Sequence, residues 1–596
     1  MKRYRALGIV AATMFAIAAP AQAERDPERE LAPARTLSGA FLAAETARTG
    51  NDFGAAVKYY RDALRFDPEN QGLQRELLIS LITNGQFADA LPHAEALKNV
   101  PEVERISRVA LGIQALRDRR FLQADSMLIL ALENDLERLL TGIMRAWAKL
   151  GAGETDNALA DIDALEGPDW YELFATYHGA LIADAAGREA EAAQRYEAGI
   201  SNSTGGSASP QTYLRLAEAY AGFLAREGKP EEALEAIDFG LGLAPSNPSL
   251  LAVQADIENA AGKALRVASP AKGAAEILYN LGTAINRDGA EGFAALYFEF
   301  ARALDPENAA INFELGGISE RLSSPERAIS YYDGISPKSP YGRIARLQKG
   351  LNLSDMDRNE EAKQTLLAAI DDNPQEYRGY LALGGVYAGL KEYAEAAELY
   401  ERAVRHFDNS DPTYWPLYYR MGIAYERIKQ WDKAERAFKH ALKLSPNQAD
   451  VLNYLGYSWI DMNINLNEGL EMIRKAVDMR PRDGYIVDSL GWAFYRLGRF
   501  EEAVTELEKA TELRPRDAII NDHLGDAYWR VGRKLEATYQ WAQALDMEIE
   551  PEEATKIEAK LQASNTPGER PQIAVSRIDE AVSGKTAASP DTDSDG

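Results

Sequence analysis

The chain has 596 residues, too many for one core, and its balance of 46% hydrophobic to 27% charged residues is that of a folded chain rather than a disordered one. A formal net charge of −26, with no Lys/Arg run to reverse it locally, argues against nucleic acid and anionic lipid as partners and leaves a basic segment of another protein open. Cysteine is absent, which excludes a disulfide framework, a thiolate metal site, a cysteine nucleophile and lipidation through cysteine.

The first residues read as a targeting segment. Lys2, Arg3 and Arg5 precede a mostly apolar stretch over 6–19, and Pro20 precedes Ala21-Gln22-Ala23, an A-x-A cleavage signature followed at once by Glu24, Arg25 and Asp26. This pattern predicts a secretory signal peptide over 1–23, cut between Ala23 and Glu24. The apolar run is short for a bilayer span, and no other stretch is long enough, so the mature chain is expected to carry no transmembrane span. Residues 24–36 are expected to be flexible.

From 37 onward the sequence repeats in blocks of roughly 34 residues. The first half, 37–247, is a degenerate array marked by residues such as Ala44, Ala56, Tyr60, Ala63 and Pro68. An irregular connection, one helix followed by a link containing Pro270, is expected over 248–274. The second half, 275–551, keeps a sharper register. Gly316, Ala328, Tyr332 and Pro340 mark one block, and Gly422, Tyr425, Ala434, Phe438, Ala441 and Pro446 another. Gly491, Phe494, Ala503, Ala510 and Pro515 mark a third, and Gly525, Tyr528, Ala537, Trp541 and Ala544 the last. Glycine, aromatic, alanine, aromatic, alanine and proline at these spacings resemble the tetratricopeptide-repeat (TPR) family. The resemblance implies an all-α fold, an α-α superhelical solenoid of about fourteen helix pairs, stabilised chiefly between neighbours. The small residue at the eighth place and the alanine at the twentieth are expected where the paired helices cross. The larger residues near the eleventh and twenty-fourth places are expected between repeats. A polar helix over 552–562 is expected to cap the stack, and 563–596, rich in Ser, Thr, Pro, Gly and Asp, to be disordered.

Catalysis has little footing. The five histidines, His93, His178, His406, His440 and His523, stand at no ligand spacing, so no metal and no cofactor are expected. No nucleophile elbow, P-loop or dinucleotide fingerprint occurs. Acid pairs such as Glu501-Glu502 fall where second helices begin and favour helix initiation. The chain is therefore not expected to be an enzyme.

In such a solenoid the first helices line the inner face. Places two, five, nine and twelve share one helix stripe. In the last four repeats that stripe holds Tyr419, Tyr457, Tyr485, Trp492, Tyr495 and Trp529 beside Asn453, Asp488, Asp522 and Asp526. Aromatic anchors among amides and carboxylates suit the gripping of a peptide or a partner surface, and equally suit packing on neighbouring helices. Arg427, Arg496 and Arg530 recur at the thirteenth place as donors for a partner's carboxylate or as cations on helix C-termini.

The C-terminal segments 452–504 (with LGYSWIDM and DSLGWAFYRLGRFEEAV) and 520–537 (INDHLGDAYWRVGRKLEA) resemble a bacterial envelope TPR family that includes the lipoprotein adaptor of a periplasmic carboxyl-terminal-processing protease. The resemblance implies a periplasmic adaptor that brings this serine protease to substrates such as cell-wall hydrolases. The chain departs from that family in having no lipidation cysteine, which puts outer-membrane anchoring in doubt and favours a soluble periplasmic form. A structural scaffold for polysaccharide export or cell-wall synthesis is the competing reading, and self-association stays open.

Overall fold

The repeat signature becomes thirty α-helices, and no strand, among the described residues. The computed structural model describes residues 34–564 apart from 102, 130–133, 202–208, 260–266, 268 and 287–289. The expected signal segment with Ala23 and Glu24, most of the segment to 36, and the tail from 565 lie outside the described residues.

Two compact units divide between Val386 and Tyr387. The first holds α1 (Leu37–Thr49), α2 (Phe53–Phe66), α3 (Gln71–Thr83), α4 (Phe87–Leu97), α5 (Glu104–Arg117), α6 (Phe121–Leu128), α7 (Asp135–Gly151), α8 (Thr155–Asp163), α9 (Tyr171–Ala185), α10 (Glu189–Ser201), α11 (Pro210–Arg226), α12 (Pro230–Leu243), α13 (Pro248–Glu258), α14 (Pro270–Ile285), α15 (Glu291–Leu304), α16 (Ala309–Arg321), α17 (Pro325–Asp333), α18 (Gly342–Asp355) and α19 (Asn359–Asp372). Helix α20 (Tyr377–Gly389) carries the boundary. The second unit holds α21 (Tyr393–Ala403), α22 (Trp415–Arg427), α23 (Trp431–Leu444), α24 (Ala449–Asp461), α25 (Leu466–Met479), α26 (Gly484–Arg496), α27 (Phe500–Leu513), α28 (Ala518–Arg530), α29 (Lys534–Leu545) and α30 (Pro551–Ser564). All but α13 and α30 fall into successive pairs, fourteen in number.

Among the described residues, thirteen of the fourteen pairs turn on a left-handed residue, the turn between α14 and α15 lying outside them. In the first half these are Asn51, Gly85, Arg119, Gly153 and Gly187, in steps of 34 residues, and then Gly228; later come Ser323, Asp357, Lys391, Lys429, Asn463 with Asn465, Gly498 and Gly532. A residue just past a helix end in this conformation lets its neighbours' N–H groups reach the last carbonyls, as Gly498 N does to Tyr495 O and Arg499 N to Phe494 O. Acidic residues then open the next helix, as Glu501 and Glu502 do in α27, and Arg427, Arg496 and Arg530 stand in the last turns of α22, α26 and α28.

Inside a pair, the eighth-place glycine faces the large residue sixteen positions on. A Cβ on Gly316 would lie 2.4 Å from the Tyr332 ring, on Gly422 2.6 Å from Phe438, on Gly491 2.5 Å from Leu507 and on Gly525 2.5 Å from Trp541. The twenty-fourth residue thus fills the glycine's space within its own pair as well as reaching the next. The twentieth-place alanines Ala328, Ala362, Ala434, Ala503 and Ala537 are fully buried. Gly456 differs, because its Cβ would meet the backbone carbonyl of Gly469 at 2.8 Å, and backbone cannot rotate away. Gly456→Ala is expected to destabilise the α24–α25 pair by about 1–3 kcal/mol. Gly385→Ala, where a Cβ meets nothing within 4 Å, is expected to stabilise α20 by about 0.5–1 kcal/mol. Amide exchange of the two helix pairs reads both.

The connection expected over 248–274 lies inside the first unit: α13 takes its start, α14 begins at Pro270, and most of the stretch between them lies outside the described residues. Pro248 and Pro270 open α13 and α14, where a missing N–H costs nothing, and Ser269 Oγ accepts from the Lys272 N–H. Helix α14 then packs on α5, α7, α9 and α11, while α15 packs on α3, α4 and α5. The chain thus turns back and fills the inner side of its own first repeats. Gly273 lies flat against the Trp147 ring, and Phe87 meets Phe300 edge-on at 6.2 Å.

Candidate protein-binding face

The inner helices α22, α24, α26 and α28 of the second unit carry every residue of the expected stripe. Their side chains separate into a cluster on α26 and α28, a smaller group on α22 and α24, and some that find private partners.

The cluster is built around His523. Its Nδ1 lies 3.0 and 3.1 Å from the Asp488 carboxylate oxygens, and both residues are buried. Burial alone would lower the imidazole's pKa, but the Asp488 charge and hydrogen bond outweigh it and raise the pKa above its ordinary value. Trp492 stacks on this ring at 4.1 Å, and Tyr495 stacks on the other face of Trp492 at 4.8 Å. An imidazolium against an indole face gains a cation–π attraction as well as contact. Arg496 lies 6.0 Å over Trp492 and pairs with Asp461 at 3.3 Å. Arg530 lies 4.0 Å over Phe500 and 5.9 Å over Tyr495. The indole Nε1 of Trp492 and the amide Oδ1 of Asn453 are buried without a hydrogen-bond partner.

At the far edge Asp526 accepts from Trp541 Nε1 at 3.1 Å, and Trp529 stacks obliquely on Trp541 at 5.4 Å. Asp522 and Asp526 share one cation, Lys560 of α30, whose Nζ lies 2.7 Å from Asp522 and 2.8 Å from Asp526. Burial, with Asp526 alongside, still leaves the Asp522 carboxyl above its ordinary pKa.

The other stripe residues are placed differently. Tyr419 packs edge-on against Tyr454 at 6.2 Å and beside Phe438, so it belongs to the packing between repeats. Arg427 is exposed beside Glu426. Tyr485 lies under Arg514 at 4.0 Å and leaves the cluster. Tyr457 is partly covered; burial first, then the charges of Asp488 and Asp461, hold its hydroxyl above its ordinary pKa, which ties it to the cluster. The sequence reading missed His523 and Lys560. Ligand spacing says nothing of His523, whereas its place one position after Asp522 puts it on the side of α28 that faces α26. Among the described residues no group of three or more His, Cys, Asp or Glu is arranged to hold a metal ion, and no helix is long and apolar enough to cross a membrane.

Helix pairs joined through left-handed turns, with an aromatic and acidic inner face, define an α-α solenoid built to meet other proteins. The chain is a tetratricopeptide-repeat protein: sequence models described as tetratricopeptide repeat match residues 41–105, 294–342 and 375–447, and one described as TPR repeat matches 491–532. It is similar to TPR repeat-containing protein PA4667 of Pseudomonas aeruginosa, 26% identical over 211 residues, or 33% of this chain and 32% of that one. It is also similar to general transcriptional corepressor ssn6 of Schizosaccharomyces pombe, 28% identical over 150 residues, or 25% of this chain and 13% of that one. The match thus spans a third or less of these curated relatives. Among solved structures, that of the APC/C hetero-tetramer Cut9-Hcn1 aligns over 89% of this chain and 97% of its own, at 12% identity and a TM-score of 0.38.

Proposed function

We propose that the chain is an exported scaffold that binds a carboxyl-terminal-processing serine protease and brings it to envelope substrates such as cell-wall hydrolases, through the inner face of α24, α26 and α28. The observation that carries a binding role for this face is the stack Tyr495–Trp492–His523 beside Asp522 and Asp526, which sets aromatic area next to fixed carboxylates. The choice of protease rests on the resemblance of 452–504 and 520–537 to the envelope adaptor family, and export rests on the pattern of residues 1–23.

Affinity capture of the tagged full-length chain from periplasmic extract, read by mass spectrometry, tests it. Recovery of a carboxyl-terminal-processing protease is expected, falling by about tenfold or more on joint Trp492→Ala and Trp529→Ala substitution in a chain whose circular dichroism is unchanged. Recovery of export or synthase components alone would replace the adaptor with a structural scaffold. Unchanged protease recovery by the double variant would move the site off this face.

A further inference from the structure

The last helix is held unlike the others. The covered residues of α30 are Glu553, Ala554, Ile557, Lys560, Leu561 and Ser564, one stripe at spacings of three and four. Ile557 is the only one fully buried, whereas α28, a residue shorter, buries nine. Leu561 is partly buried against the same apolar cluster, the helix packs on α29, and charge adds to this hold. Lys560 enters the notch between Asp522 and Asp526 with 29% of its side chain exposed. Just before the helix, Glu550 meets Lys391 at 3.2 Å, across 159 residues of sequence, with both side chains more than two-thirds exposed. Near its start, Glu553 acts electrostatically on the Tyr457 hydroxyl of α24. The helix therefore lies along the same face that holds the aromatic stack, from α28 towards α24. One exposed ion pair, one partly covered lysine and a single fully buried aliphatic residue place it below the inner helices in local stability.

We propose that α30 is a displaceable occupant of the binding face, and that Lys560 keeps the place of a lysine on a partner protein's amphipathic helix. The inference rests on the reading of that face as the partner site. Charge decides the kind of helix. The face presents Asp522 and Asp526 on a chain of net charge −26, so an entering helix needs a lysine in the notch, an aliphatic residue three positions earlier in the place of Ile557, and no carboxylate between them on that stripe. Binding then requires α30 to lift, and the tail's own helix sets the threshold a partner must exceed.

The probe is a fluorescein-labelled peptide of residues 551–564, titrated onto the full-length chain and followed by anisotropy. Lys560→Glu sets a third carboxylate against Asp522 and Asp526, and the variant is expected to bind the peptide at least about tenfold more tightly than the unmodified chain does. Its α30 amides should exchange faster while those of α28 keep their protection. Asp522→Asn with Asp526→Asn, added to Lys560→Glu, should remove the gain. If Lys560→Glu binds the peptide no better than the unmodified chain, or if α30 in the unmodified chain exchanges only together with α28, the helix is a fixed end cap and the proposal falls. The assay uses no outside partner, so its failure leaves the affinity-capture result standing, and failure of the capture leaves the peptide result standing.

Discussion

Arg215→Met is expected to destabilise the N-terminal unit by about 3–5 kcal/mol, a large share of the stability of an ordinary domain. Arg215 of α11 grips Glu276 of α14 with two parallel bonds, Nε to Oε1 at 2.9 Å and Nη2 to Oε2 at 2.8 Å, and reaches Glu218 at 2.6 Å. Tyr177 donates to Glu276 at 3.1 Å. Glu276 is 7% exposed; burial alone would raise its pKa, and the guanidinium brings it below the ordinary value. Glu218 stays above its ordinary value because burial outweighs the same cation. Removing Arg215 strands two carboxylates with no cation, and the penalty is their desolvation rather than the loss of one contact. Arg215→Met with Glu276→Met should recover most of the loss, since an ion pair replaced as a pair leaves fewer buried charges behind. Calorimetry gives the shift, and amide exchange of α14 locates it. Equal losses in the single and double variants would mean that packing, not charge, is what Arg215 supplies.

Acid should act on the two units in opposite directions. In the first unit His178 is buried, and its Nδ1 accepts from Trp147 Nε1 at 3.1 Å, which fixes the proton on Nε2, a buried atom without a partner. Burial lowers its pKa to about 4, against the weaker pull of Glu276. A histidine depressed in the folded state supports the fold while neutral. That support is present above about 6.5 and is lost as pH falls towards 4, amounting to about 3 kcal/mol. In the second unit His523 is raised above its ordinary value by Asp488, so its contribution has the reverse sign. It is present below about 6.5 and is lost as pH rises through the folded pKa. Amide exchange at pH 5, 6.5 and 8 should show α7 and α9 losing protection with acid while α26 and α28 gain it. His523→Gln should flatten the second response and leave the first untouched. Parallel pH responses in the two units would sink this assignment.

How far the sequence foretold these features depends on how local they are. The pairing of Gly316 with Tyr332, or of Gly525 with Trp541, is legible because both residues sit in one repeat and recur. The left-handed turn is equally regular in space but hidden in the sequence, since Asn51, Gly85 and Arg119 share a conformation and not a residue type. The return of α14 onto α7 could not be read. It depends on Gly273 meeting Trp147 and on Glu276 meeting Arg215, contacts between repeats with no fixed spacing. On the candidate face, helix periodicity places the aromatic and acidic residues on one stripe. Their satisfaction by His523, Lys560, Arg514 and Asp461 is not legible there, because a partner from another helix leaves no mark in a single stripe.

The backward turn of α14 also sets an order of events for the growing chain. A repeat array that contacts only its neighbours can fold pair by pair as it lengthens. The second unit has largely that character. The first does not, because the inner sides of α5, α7, α9 and α11 meet their cover only when Pro270–Ile285 arrives, more than a hundred residues after α5 and α7. Until then Trp147, Tyr177 and Arg215 wait without Gly273 and Glu276, and closing so long a loop is the slow, entropy-laden step. A chain halted before residue 270 therefore exposes a surface that invites other chains.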